Sequence, residues 1–199
     1  MNSNALHVGL VSALAMTLAG AILVQQNSGT VAIDALAGRK LFTSKKCGDC
    51  HAQGAAKFTA IKANTDSAFI ADHSTKLDLP VVLKEAKTDR QKKRVLGQEA
   101  AALAAYLNKR KEAEAAPANL VTAGYAMIRE GCRNCHIIDG AGKETGPNMK
   151  GVGSRHDKKW IVDHFINPQA FVNDSVMPKF DALPKEELEA MADYLLTMK

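Results

Sequence analysis

Two five-residue runs, Cys47-Gly48-Asp49-Cys50-His51 and Cys132-Arg133-Asn134-Cys135-His136, use all four cysteines of this 199-residue chain. Cys-x-x-Cys followed at once by His is the attachment signature of a covalently bound c-type haem. Two thiols three residues apart can each form a thioether to one porphyrin vinyl group, and the adjacent histidine reaches the iron as its proximal ligand. The pattern therefore implies two haem c groups, and two irons that change oxidation state.

Other uses of the cysteines explain less. Zinc could take two Cys-x-x-Cys pairs, but the histidine after each pair would then be unexplained. A Cys-x-x-Cys disulfide closes only a tiny loop. A thioredoxin-like redox motif belongs to a βαβ pattern, and none is visible.

Cys47 and Cys132 lie about 85 residues apart, a domain-sized interval at the small end. Small domains bury little apolar surface, and a flat apolar haem would supply part of each core. Aromatic residues make up only 5%, which suits a core organised around a cofactor. The net charge is +5, but no nucleic-acid motif accompanies it, and nucleic acid is not an expected partner. The basic surplus falls mainly in the first half, at Lys84, Lys87, Arg90, Lys92, Lys93 and Arg94. A solvated surface explains it better than a docking patch for an acidic redox partner.

Leu6 to Val24 carries no Asp, Glu, Lys or Arg. As a helix rising ~1.5 Å per residue it would span roughly 28 Å, close to the hydrocarbon thickness of a bilayer. The expectation for residues 1–30 is a transmembrane anchor. A cleaved signal peptide is the rival, with Ala19-Gly20-Ala21 as its small-residue site, but Met1 to His7 lacks the basic residues of a signal. Arg39 and Lys40, the first basic residues, follow the segment and weakly oppose export of that side. Haem c attachment resembles a process outside the bacterial cytoplasmic membrane, and the haem domains are expected on the periplasmic, outer side of that membrane.

The remainder reads as a repeat. Ala35 to Lys45 and Gly124 to Arg129 are helical leads into the two motifs, with Gly38 to Phe42 matching Gly124 to Ile128. Each half closes on an apolar-periodic helix. Gly97 to Lys109 places Leu103, Tyr106 and Leu107 on one face, and Lys185 to Met198 so places Leu188, Met191, Tyr194 and Leu195, with Pro184 as a start signal. Between motif and closing helix, Phe69-Ile70-Ala71-Asp72-His73 matches Trp160-Ile161-Val162-Asp163-His164. The domains are therefore 31–111 and 120–199, joined by a linker at 112–119. Alternating β patterns are scarce.

An iron bound by one histidine needs a partner at its sixth position. In the second half the candidate is Met177, between His136 and the last helix. Pro178 would stiffen its loop, and thioether sulfur favours ferrous iron and raises the potential. Met191 and Met198 fit a helix face instead, and Met149 comes early after the motif.

With these residues in place, Gly124 to Lys199 resembles a class I cytochrome c domain, through Cys132 to His136, Gly146-Pro147-Asn148-Met149-Lys150-Gly151, Met177-Pro178 and the Tyr194 helix. The resemblance implies that the Gly-Pro segment passes the haem and that a backbone carbonyl at Pro147 orients His136, an outer-shell hydrogen bond that sets the tautomer. The expected fold class is all-α: two tandem class I cytochrome c-like helical haem domains after an N-terminal transmembrane helix.

The first half, Ala35 to Lys111, matches less fully. It has no Gly-Pro segment after His51 and no methionine between His51 and Lys111. His73 is the only other histidine there and would give a bis-histidine haem of lower potential. Alignment from the closing helix instead points to Ala86 to Asp89, where Lys87 would have to lose its proton to bind. An open or externally filled position is the third alternative.

The expected function is electron transfer through two haem c groups, as a membrane-tethered subunit of a respiratory or photosynthetic electron-transport complex with redox proteins as partners. A dihaem peroxidase-like oxidoreductase, using an open or labile first haem, is the enzymatic alternative.

Overall fold

The periodic runs that close each half are helices, and each packs on the helix that leads into its half's cysteine motif. A computed structural model of the protein describes residues 31–51 and 65–199. The first half holds α1 (Ile33–Ser44), α2 (Gly48–His51), α3 (Ser67–Lys76) and α4 (Asp89–Asn108). A short α5 (Arg110–Ala115) leads to the second half, with α6 (Ala118–Glu130), α7 (Val152–Arg155), α8 (Lys158–Ile166) and α9 (Lys185–Leu196). The described strands are β1 (Ile137–Ile138) and β2 (Ala141–Gly142), antiparallel with Ile137 opposite Gly142. The chain is mostly helical, as expected. The expected membrane segment at Leu6 to Val24 lies outside the described residues, among which no helix is long and apolar enough to cross a membrane.

α4 starts earlier than its apolar face suggests, because Thr88 and Gln91 form a capping box. The Thr88 hydroxyl accepts from Gln91 N, and the Gln91 side chain accepts from Thr88 N. Such reciprocal caps satisfy two donors that the first turn leaves without partners. α3 and α8 begin alike: Asp66 accepts from Phe69 N at 2.7 Å, and Asp157 accepts from Trp160 N at 2.8 Å. The repeat seen around His73 and His164 thus extends to the helix caps.

α1 is buried on two sides. Ile33, Leu36 and Leu41 are wholly buried, each gaining about 1.5–3 kcal/mol from leaving water. One side meets α4 at Gly38, where a Cβ would lie 2.0 Å from the Ala102 carbonyl oxygen. The other meets α6 at Gly124, where a Cβ would lie 2.6 Å from Leu36 Cβ and 2.8 Å from the Ile33 carbonyl oxygen. The two glycines of the repeat therefore serve different contacts: Gly38 closes its own half, and Gly124 joins the halves.

The segment between the halves is also packed. Ala113 is buried in a cluster with Ala35 and Tyr106. Arg39 donates to the Ala113 and Ala116 carbonyls at 3.0 and 2.8 Å, satisfying acceptors at the end of α5.

Candidate functional site

Both cysteine motifs fold into the same tight turn. The histidine N–H donates to the carbonyl of the first cysteine at 3.0 Å, His51 to Cys47 and His136 to Cys132. The residue before each first cysteine is left-handed, Lys46 at φ 55° and Gly131 at φ 73°. That reversal turns the chain out of α1 or α6 and into the motif. Glycine adopts it without steric cost, whereas Lys46 carries strain.

The four cysteines form no disulfide with one another. Burial raises the Cys132 thiol to about 12 and raises Cys47 as well. A thiol–disulfide catalyst needs the opposite shift, since the thiolate is its nucleophile.

In the second half the loop after the motif folds back over it. Gly146 N donates to the Cys135 carbonyl at 2.7 Å, and Met149 N to that of Ile137 at 3.0 Å. Pro147 presents its carbonyl oxygen to His136 Nδ1 at 2.8 Å. A carbonyl only accepts, so Nδ1 carries the proton and Nε2 keeps the lone pair a metal needs. Gly146 lies flat against this ring, where a Cβ would come 2.6 Å from His136 Cε1. The His136–Pro147 pairing is the one expected from the Gly-Pro segment. A histidine oriented by a backbone carbonyl, with its Nε2 kept as acceptor, fits a haem iron.

Met177 lies between the turn Pro168–Ala170 and α9, half-buried against the core cluster that also holds Cys132 and Met149. Its N–H donates to the Ser175 hydroxyl at 3.3 Å, and Gln169 donates to its carbonyl at 3.3 Å. Ile166, Phe171, Val172 and Val176 nearby in sequence are exposed.

In the first half the structure brings His51 and His73 together, with ring centroids 6.0 Å apart. Phe69, one turn before His73 on α3, stacks parallel to its ring at 6.0 Å. The chain directly after His51 lies outside the described residues. Lys87 is exposed at the N-terminus of α4, with its N–H donating to Gln91.

Three features escaped sequence reasoning. The first is a wholly buried ion pair, Lys45 Nζ to Glu99 Oε2 at 2.7 Å. Oε2 makes this contact without hydrogen-bond alignment, while Oε1 accepts from Val82 N and Leu83 N at 2.6 and 2.7 Å. A glutamate on the otherwise apolar inward face of α4 was the available signal. The second is an aromatic ladder in which Trp160 stacks on His156 at 3.5 Å and on His164 at 4.7 Å. Burial first, then the neighbouring His156 and His136, lowers the proton affinity of His164. The third is Asp139, which receives Ile33 N at 3.0 Å, Tyr194 OH at 2.7 Å and Arg133 at 3.1 Å.

Comparisons with known proteins find a family match in the second half. Residues 140–198 match a family model described as cytochrome c oxidase, mono-heme subunit/FixO. The match begins just after the second motif and includes Pro147 and Met177. Cytochrome c oxidase subunit 2 of Alkalihalophilus pseudofirmus is 29% identical over 101 residues, covering 44% of this chain and 28% of that protein. The chain thus spans little more than a quarter of the relative's length. No solved structure matches. The likeness is to cytochrome c-type proteins and supports haem c as the cofactor.

Proposed function

We propose that this chain is a dihaem electron-transfer protein related to cytochrome oxidase subunits. One haem c would be held by Cys47, Cys50 and His51, and the other by Cys132, Cys135 and His136. The family model that matches is mono-haem, so the second haem rests on the residues of the chain itself. The observation that carries it is the shared turn of the two motifs, with the histidine N–H on the first cysteine's carbonyl at 3.0 Å in both.

When bound, each haem supplies an iron that gains or loses one electron. The residues of the chain do the rest. The cysteines fix each porphyrin edge. Pro147 holds His136 in one tautomer and orientation, an outer-shell contact that tunes a metal site. Met177 would supply its thioether sulfur to the iron of the second site, and such a ligand favours the reduced iron. Cys132, Met149 and Met177 each pack, half-buried, against the core of the second half.

The oxidase subunits that the chain resembles support a place in a respiratory oxidase complex, with redox proteins as partners. The apolar Leu6 to Val24 run supports a tether in the bacterial cytoplasmic membrane, with both haem domains on the periplasmic side.

Haem content per chain, measured as the pyridine haemochrome of the purified protein, tests the central claim. Two haems per chain are expected. One haem per chain, with Cys47 and Cys50 recovered as free thiols, would refute the dihaem reading. Redox titration of Met177→His should then lower one potential and leave the other in place.

A further inference from the structure

We infer that His73 is the sixth ligand of the first haem iron, so that the first site is bis-histidine and the second histidine–methionine. This rests on the proposed haem at Cys47, Cys50 and His51.

Four observations converge on His73. The first is distance. Two imidazoles on opposite sides of one metal, each bound at about 2.0–2.1 Å, put their ring centroids roughly 6 Å apart. The His51 and His73 centroids are 6.0 Å apart, with ring planes at 55°. Imidazoles on opposite sides of an iron can rotate independently about the metal–nitrogen axis, so the tilt is compatible with ligation.

The second is rigidity. His73 stands on α3, which is capped by Asp66 and anchored by the buried Ile70 and Ser74. Phe69 lies parallel to its ring, with centroids 6.0 Å apart. A ligand on a packed helix holds its position better than one on a loop.

The third is the fate of the loop that precedes the closing helix. In the second half that loop carries Met177. Its counterpart in the first half has no methionine and is pinned elsewhere. Lys45 donates to the Pro80 carbonyl, Glu99 receives Val82 N and Leu83 N, and Tyr125 of α6 donates to the Val82 carbonyl at 2.9 Å. Leu83 is buried in the core. Lys87, the competing ligand, is exposed at the start of α4.

The fourth is the repeat. His164 occupies the position of His73 in the second half, and there it stacks on Trp160 at 4.7 Å and meets Phe171 at a tilt, with centroids 5.2 Å apart. In the second half Met177 is available and this histidine packs among aromatics; in the first half no methionine follows His51 before the closing helix ends, and the equivalent histidine lies 6.0 Å from the proximal one. Replacing a thioether by an imidazole withdraws the preference for ferrous iron, so the first haem has the lower potential.

Low-temperature EPR of the oxidised holoprotein, combined with haem counting and redox titration, tests this on wild type, His73→Ala and His73→Met. Wild type should show two low-spin haems and two separated potentials. His73→Ala should keep two haems per chain, convert one low-spin signal to high-spin, and regain it on addition of imidazole. His73→Met should raise the lower potential toward the upper one. An unchanged low-spin pair in His73→Ala, or a high-spin first haem in wild type, overturns the assignment while the dihaem reading stands. If His73→Ala loses its haem, an unshifted lower potential in His73→Met overturns it equally. A single haem per wild-type chain removes both.

Discussion

Arg133, inside the second Cys-x-x-Cys-His run, is ion-paired with Asp34 in the first turn of α1. The second haem motif is therefore fastened to the leading helix of the first half. Asp139 completes the junction by receiving Ile33 N and a second Arg133 nitrogen. A carboxylate at this place both satisfies an open amide and opposes the positive end of the helix.

Asp139→Ala should be among the most disruptive polar substitutions outside the motifs. It would leave Ile33 N without its acceptor and remove one of the partners of Arg133 and of Tyr194 OH, which keeps the Val31 carbonyl, at a cost of about 2–4 kcal/mol. Asp139→Asn keeps an acceptor and tolerates the left-handed φ of 56°, and should cost about 1 kcal/mol. Denaturant unfolding of the two variants checks the order. Equal stabilities would mean that the junction carries little energy.

Gly124 and Gly97 should respond oppositely to alanine. At Gly124 the new methyl meets Leu36 Cβ at 2.6 Å, and forcing α1 and α6 apart should cost about 1–3 kcal/mol. At Gly97, within α4, nothing lies within 4 Å, and alanine should stabilise by about 0.5–1 kcal/mol through helix propensity. Thermal melts of both holoproteins give the signs directly.

Removing Glu99 should be far worse than removing an exposed charge. Glu99→Ala strands Lys45, whose side chain has no exposure, together with two backbone amides, at about 3–5 kcal/mol. The double variant Lys45→Met, Glu99→Gln retains an acceptor for Val82 N and Leu83 N and removes both charges. It should recover much of that loss when measured as a double-mutant cycle. A double variant no more stable than Glu99→Ala would show that the charges themselves hold the loop.

At the second motif, backbone and side chain can be separated. The acceptor for His136 Nδ1 is the Pro147 carbonyl, which Pro147→Ala retains, so the potential of that haem should move little. Gly146→Ala drives a methyl against the His136 ring and should shift the potential and the EPR signal of that haem alone. If Pro147→Ala produced the larger change, proline's rigidity rather than its carbonyl would be tuning the ring.

The sequence alone determined whatever depends on near neighbours. Thiol spacing marked both proposed attachment sites, apolar periodicity located α4 and α9, and the matched runs around His73 and His164 marked a repeat, which the structure extends to the caps at Asp66 and Asp157. The Gly146-Pro147 segment pointed to the carbonyl that holds His136. These signals act over one or two turns of chain, and residue spacing records them.

Tertiary structure decided the contacts between distant segments, for which no spacing rule exists. It turned Gly38 toward α4 and Gly124 toward α1, although both sit near the same place in the repeat. It buried Lys45 with Glu99 and joined Arg133 to Asp34. It also brought His73 within 6.0 Å of His51, from a helix whose own residues show only that one face carries Phe69, Ile70 and His73. Helix crossings set those distances, and they depend on which side chains are absent at the crossing as much as on which are present.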